Sequence, residues 1–296
     1  MDGILCLDKP QDITSFVCCA KLRRLVGEKK VGHGGTLDPM ATGVLPILFG
    51  KATRALDLIP AQDKRYVATL RFGFVSDTLD IWGKVTPTGK PAPTLSEIED
   101  ALPSFRGDIL QIPPMTSALK QQGQRLYTLA RQGITVDRPA RPVTVFSLDI
   151  LQYDPDKGEL TIDCHCSKGT YIRTICDDLG AKLGCGAVMI ALRRTRAAGL
   201  PIEEAVELCK VEELAANDPE GLKALVRPIE ELFTDYPAVT VSTKQAVRFR
   251  NGGALEIARL SSPVSEGLIR VKAPDGVFLG LGEPKDGSLK IVKLFV

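Results

Sequence analysis

The stretch that decides how this chain is read is VGHGGTLDPMATG, residues 31–43. Gly32, Gly34 and Gly35 surround His33, one of only two histidines in the protein, and a lone carboxylate, Asp38, follows between Leu37 and Pro39. Glycine opens backbone conformations closed to other residues and lets a ligand approach closely. Apolar neighbours strip water from a carboxylate and change its reactivity. Two readings fit these residues. The stretch is a loop that presents Asp38, or Asp38 caps a short helix with Pro39 at its first position. One residue can do both. The GK[ST] ending of a phosphate-cradling loop is missing.

Outward from this loop, residues 3–7 read as a short buried strand. After Asp8, Lys9 and Pro10 turn the chain, Thr14 or Ser15 can cap a helix to about residue 26, with Phe16, Val17, Ala20 and Leu25 available for its inner face. Residues 44–49 read as an apolar strand and 52–58 as a helix. Lys64, Arg65 and Tyr66 open a strand that runs through 72, and 74–83 form a loop carrying Ser76, Thr78, Asp80 and Gly83. Thr94 and Glu97 make a capping-box start for a helix over 94–102. Pro113, Pro114 and three glycines punctuate a basic segment from 105 to about 141, with a short helix over 125–132 that ends at Gly133. Strands over 143–151 and 160–167 pair across the DPDKG turn.

The run KGTYIRTICDDLG, residues 168–180, reads as a strand end, a tight turn and a helix beginning near Tyr171. Tyr171 and Arg173 share a face on a strand end and are splayed by a helical turn. Residues 187–199 form another strand with a basic end, and helices follow over 202–208 and 211–216. Tyr236 and Pro237 mark a boundary. Beyond it, short alternating strands over 238–241, 268–272, 277–281 and 289–294 suggest a small barrel-like β-domain.

Composition narrows the class. At 296 residues, 44% hydrophobic and 25% charged, the chain has the make-up of a globular protein of one large domain, or of a large and a small one. No apolar run approaches the roughly 20 residues that span a bilayer, and the opening MDGILCLDKP lacks the features of a signal peptide. Eight cysteines with no C-x-x-C pair do not make a disulfide scaffold. Cys164, His165 and Cys166 invite a metal reading, but on a strand the two thiols face one way and the imidazole the other. They read as buried thiols in a reducing cytosol. Net charge is only +2, yet it is unevenly spread. Residues 15–54 carry seven basic and two acidic side chains, 106–142 six and two, and 237–296 nine and five, balanced by seventeen acidic against ten basic over 143–236. Basic segments of this kind suit a protein that tracks a phosphate backbone.

Over twelve positions, GHGGTLDPMATG resembles the catalytic loop of the TruB family of tRNA pseudouridine synthases, whose pattern is G-H-x-G-x-L-D-P-x-A-T-G. Further matches follow in family order. DKPQDITS is similar to D-K-P-x-G-x-T-S, with Asp12 in place of glycine. Lys64 to Tyr66 is similar to K-x-Y, and SDTLDIWG to T-x-T-x-D-x-x-G. PPMTSALK is similar to P-P-x-Y-S-A-x-K, with Thr116 in place of tyrosine. KGTYIR matches directly, and LRRTRAAG is similar to L-R-R-T-x-x-G, with one residue more before Gly199. GLIRVKAPDGVFLGLGE more loosely resembles the family's C-terminal PUA-like RNA-binding module.

The resemblance implies an α+β (mixed α/β) fold: a catalytic domain over 1–235 on a large, mainly antiparallel sheet, an inserted tRNA-binding thumb at about 105–142, and a PUA-like domain over 237–296. It implies conversion of uridine 55 to pseudouridine in the TΨC stem-loop of tRNA. Asp38 is then the catalytic nucleophile, Tyr66, considered in the family as a proton shuttle, lies against the base, Tyr171 packs on it, Leu192 lines the uridine pocket, and Arg173 pairs with Asp38 and keeps it ionised. His33 fills the space left by the extruded base. The reaction breaks the N1–C1′ bond, turns the retained uracil and joins C5 to C1′. It moves no hydride and no phosphoryl group, so no cofactor or metal is expected. One carboxylate can open it by attack on the base, by attack on the ribose, or by aiding loss of a ribose proton. The insertion points to the stand-alone bacterial type rather than the guide-RNA-dependent dyskerin-like branch: a cytoplasmic monomer needing no guide RNA, protein partner or membrane. A glycosidase would want a second, paired carboxylate, and none is identifiable nearby.

Overall fold

A computed structural model describes residues 1–117, 119–121 and 123–296. In chain order the elements are β1 (Gly3–Lys9), α1 (Ser15–Val26), β2 (Val31–His33), β3 (Thr42–Phe49), β4 (Lys64–Phe72), β5 (Phe74–Ser76), β6 (Val85–Pro87), α2 (Leu95–Ala101) and β7 (Gly107–Gln111). Next come β8 (Lys120–Gln121), β9 (Gln124–Arg125), α3 (Leu126–Arg131), β10 (Arg141–Asp154), β11 (Glu159–Cys166), α4 (Ile172–Lys182) and β12 (Ala187–Ala197). After β13 (Leu200–Pro201) and β14 (Val206–Glu207) come α5 (Leu208–Asn217) and α6 (Pro219–Ala224). The C-terminal part holds β15 (Ala238–Thr240), α7 (Thr243–Arg250), β16 (Leu255–Glu256), β17 (Ile269–Lys272), β18 (Phe278–Lys285) and β19 (Ser288–Leu294).

The main sheet runs in the order β14-β1-β3-β12-β4-β11-β10-β7, with β2 added on β3 and β13 on β12. Every pairing is antiparallel except β1 with β14 and β3 with β12. β4 alternates as a half-buried strand must. Tyr66, Ala68, Leu70 and Phe72 turn into the core, while Arg65 and Arg71 on the other face pair with Asp163 and Glu159 of β11. β1 and β3 are apolar almost throughout because both of their faces are covered. One core lies between the sheet and helices α1, α2, α4 and α5. A second lies on the opposite face, where Leu281 and Phe295 of the C-terminal part join Phe233 and Ile4. A third fills the five-stranded C-terminal sheet, order β15-β17-β18-β19-β16, beneath Phe249 of α7.

Several expectations are corrected. No helix follows Asp38: Ala41 N–H bonds the Asp38 carbonyl at 3.0 Å in a turn that runs straight into β3. Helix α1 has the expected span and Thr14 cap, yet Phe16 and Val17 face solvent while Ser15, Cys18, Cys19 and Leu22 face inward. Both faces repeat with helical spacing, and the small side chains occupy the inner one because the sheet lies close. Residues 50–58 form two short 3-10 turns rather than one helix. Residues 202–208 are not helical throughout: after a 3-10 turn, Val206 and Glu207 pair in parallel with Leu7 and Asp8 of β1. Residues 74–76, within the expected loop over 74–83, pair with residues 85–87 beyond it as a small hairpin. Helix α7, with a Ser242–Gln245 capping box, was not anticipated among the C-terminal strands. Ala118 of the PPMTSALK stretch lies outside the described residues.

Candidate active site

The loop from residue 34 to 41 is held from three sides. Arg194 of β12 is fully buried. It donates from Nε to the Val44 carbonyl at 2.7 Å, from Nη2 to Gly35 at 3.0 Å and from Nη1 to Thr36 at 3.4 Å. Lys9, also fully buried, donates to the carbonyls of Pro10, Ile13 and Pro39, just past Asp38. Ser15 Oγ accepts the Leu37 N–H at 2.9 Å and donates to the Leu37 carbonyl at 3.1 Å. A buried cation is stable only when such acceptors replace its water shell, so these contacts fix the loop as much as they satisfy the cations. Asp12, where the family pattern has glycine, takes the left-handed conformation with φ 67° and bonds Pro39 through its N–H. Aspartate tolerates that region better than most residues, so the turn geometry survives the substitution.

Asp38 is thereby presented to Arg173, whose Nη2 lies 3.0 Å from Oδ2. Arg173 sits in the first turn of α4 and is itself buried. It also donates from Nη1 to the Thr78 carbonyl at 3.1 Å and to Thr116 Oγ1 at 2.5 Å, and pairs with Asp80 Oδ2 at 3.4 Å. Tyr171, the extended residue before the helix, is fastened by Gln111 of β7, which accepts its N–H at 2.9 Å and donates to its carbonyl at 3.1 Å. This extended-then-helical junction lets Tyr171 and Arg173 line one cavity. That cavity, of about 240 Å³, is bounded by Leu37, Asp38, Lys64, Tyr66, Thr116, Tyr171, Arg173 and Leu192. It shares Asp38 and Arg173 as lining with a cleft of about 850 Å³ that also holds His33 and Trp82. The structure thus gathers Asp38, Tyr66, Tyr171, Arg173 and Leu192 around the smaller space and places His33 in the adjoining cleft.

Electrostatics in the site follow from burial. Burial pushes the Asp38 carboxyl above its ordinary range, and the Arg173 guanidinium pulls it back only partly, with Asp80 opposing it. The arginine therefore offsets the burial without outweighing it. Burial, then Arg194, brings Lys64 down to about 8. Burial raises the Tyr66 hydroxyl, and burial followed by Arg194 lowers the His33 imidazole. His33 Nδ1 is buried with no hydrogen-bond partner among the described residues. Sequence reasoning missed the roles of Asp80, Thr116, Lys64, Gln111 and Arg194. Asp80, Lys64, Thr116 and Arg194 all stood within quoted motifs, and a carboxylate among small residues in such a loop was a usable signal for Asp80. Gln111 stood in none, and the partners of all five depend on long-range pairing. Cys164 and Cys166 are buried on one face of β11, while His165 on the other pairs with Asp63 at 2.8 Å.

Crystal structures of a Cbf5–Nop10–Gar1 complex and of an archaeal box H/ACA Nop10–Cbf5 complex superpose with TM-scores of 0.75 and 0.72, at 24% and 23% identity. These alignments cover 99% of this chain and 85% and 86% of those chains, so the chain shares the fold of the matched chains in these complexes. Three family models match in succession: "TruB family pseudouridylate synthase (N terminal domain)" over 23–172, "tRNA pseudouridylate synthase B C-terminal domain" over 173–234, and "Pseudouridine synthase II TruB, C-terminal" over 237–295. Proteins named tRNA pseudouridine synthase B from Shewanella pealeana and Cronobacter sakazakii are 42% and 44% identical, over 100% and 95% of this chain and 95% and 90% of theirs. The one from Escherichia coli K12 is 42% identical over 97% of this chain and 92% of its own. The chain belongs to the TruB family of pseudouridylate synthases, which are isomerases.

Proposed function

We propose that this protein isomerises uridine 55 in the TΨC loop of tRNA to pseudouridine, with Asp38 as the nucleophile. The observation that carries this reading is the Asp38–Arg173 pair at 3.0 Å, at the mouth of a base-sized cavity walled by Tyr66, Tyr171 and Leu192. The full-length likeness to proteins named tRNA pseudouridine synthase B supports tRNA as the substrate.

The target base is stacked in a folded loop and is extruded before reaction, at a cost of a few kcal/mol. His33, which lines the cleft beside Asp38, stacks where the base has left. The uracil enters the cavity between the Tyr66 and Tyr171 rings and the Leu192 side chain. Asp38 forms the covalent link that splits the reaction into easier steps. N1–C1′ breaks, the walls retain the free uracil and exclude water, C5 bonds to C1′ with release of the Asp38 carboxylate, and loss of the C5 proton is matched by protonation of N1. Arg173 stabilises the carboxylate against the burial that opposes its charge.

The catalytic unit spans 1–235, with 105–142 as a thumb laid on the tRNA, and 237–296 is a PUA-like RNA-binding module. The enzyme works in the cytoplasm as a monomer, with no cofactor, guide RNA or protein partner. Among the described residues no helix is long and apolar enough to cross a membrane.

The test is incubation of purified protein with an unmodified tRNA transcript and base-resolved mapping of pseudouridine, with Asp38→Asn beside it. One new pseudouridine at position 55, absent with the variant, is the expected result. No product despite tight tRNA binding would shift the reading to a guide-dependent or binding-only role. Equal product from Asp38→Asn would remove it as the nucleophile.

A further inference from the structure

Three large apolar side chains that a folded chain would ordinarily bury are left in solvent around one opening. Phe16 is 69% exposed, Trp82 51% and Ile134 46%, and all three line the cleft above Asp38. Single exposed apolar residues are ordinary, whereas a cluster at the mouth of a site marks a surface that meets a partner. Phe16 and Trp82 come from separate elements, the first turn of α1 and the loop after β5.

Both are seated on backbone tied to the catalytic residues. Ser15, next to Phe16, clasps Leu37, next to Asp38, through two hydrogen bonds of 2.9 and 3.1 Å. Thr14 Oγ1 caps the same turn by accepting the Val17 N–H at 3.1 Å. The Trp82 backbone N–H donates at 3.0 Å to Asp80 Oδ1, and Asp80 Oδ2 pairs with Arg173. The backbone that carries the two rings is therefore fixed with respect to Asp38. Arg131, over the Tyr127 ring at 5.7 Å, adds a cation and a third aromatic to the same cleft.

Resting on the proposed reaction, we infer that Phe16 and Trp82 form a stacking platform for the unpaired nucleobases that flank the extruded uridine. Unpaired bases are the occupant because the cleft adjoins the uridine cavity, with Asp38 and Arg173 lining both. Exposed rings held on a fixed backbone stack on the flat faces of single-stranded bases irrespective of their identity. A paired helix hides those faces.

Trp82 is the only tryptophan of the chain, so its fluorescence reports this site alone. The intact protein is titrated with a T-arm stem-loop RNA containing the target uridine, and with a fully paired duplex of the same composition. Quenching by the stem-loop and not by the duplex is expected. Phe16→Leu and Trp82→Leu keep apolar bulk but lose the ring, and each is expected to raise KM and Kd about tenfold, with kcat little affected. Phe16→Tyr and Trp82→Phe are expected to restore affinity. Leu151→Ala, an exposed apolar residue of β10 that lines none of the cavities described, is the control for both binding and thermal melting.

Unchanged Trp82 emission at RNA saturation, or leucine variants that bind as tightly as the wild type, would overturn the platform while leaving the isomerase reading intact. Equal quenching by the duplex would overturn it in favour of general backbone binding. Loss of all stem-loop binding and conversion by the wild type would overturn both readings together.

Discussion

At the scale of single residues, Asp38 carries a conflict between stability and chemistry. Burial raises its carboxyl above the ordinary value. Its contribution to stability is therefore fully present below the unfolded value near 3.8 and is lost as pH rises through the folded value, so ionised Asp38 is a cost at neutral pH. Asp38→Asn is expected to abolish isomerisation and to melt at or above the wild-type temperature at pH 7.5, with the difference closing toward pH 4. A clear drop in melting temperature at pH 7.5 would contradict this. Arg173 opposes the burial, so Arg173→Met is expected to move the acid limb of kcat/KM to higher pH. It should also lower neutral-pH activity on the order of 100-fold, the usual scale for one charge-stabilising donor. Thr116 holds Arg173 through both its hydroxyl and its carbonyl. Thr116→Val should cost about tenfold in kcat/KM, a typical value for a hydrogen bond to a charged group, and Thr116→Ser should restore it.

At the scale of elements, the site depends on one crossing. β3 and β12 run parallel, with Arg193 opposite Thr42 and Arg194 opposite Gly43. This pairing lays the Asp38 loop over Arg194. Gly43 has φ 98°, and a Cβ there would meet the Arg194 carbonyl oxygen at 2.2 Å. Gly43→Ala is expected to destabilise the fold by about 3 kcal/mol or more in urea unfolding, since strain and a backbone clash act together. The alternation of β4, the Thr94–Glu97 capping box and the helix begun at Thr14 were all legible in the sequence, because each rests on local periodicity or a cap. The inner face of α1 was not. Cys18, Cys19 and Ser15 are small and read as neutral, and only the nearness of the sheet selects them over Phe16 and Val17.

At the scale of the whole molecule, the C-terminal part is joined to the rest by an aromatic cluster. Phe233 packs 5.9 Å from Phe278 and 5.6 Å from Phe295, with Tyr236 stacked 6.2 Å away. Arg270 of β17 adds a pair to Glu230 at 3.0 Å and a bond to the Tyr236 carbonyl. A chain ending at Tyr236 would expose Phe233. It is expected to melt well below the full chain and to bind an apolar dye, whereas an independent unit would melt as before.

By itself the sequence determined the Asp38 loop, the order of the motifs and the alternation that makes the strands, because these are carried by neighbours along the chain. It also pointed to Tyr66, Tyr171 and Leu192 through the motifs they occupy. Tertiary structure alone decided which buried cations clasp the loop, that Asp80 and Thr116 share Arg173, and that Phe16 and Trp82 stand together at the cleft. Such pairings join residues that local pattern leaves unrelated: Arg194 lies 158 residues from Thr36, and only the closing of the sheet brings it within reach.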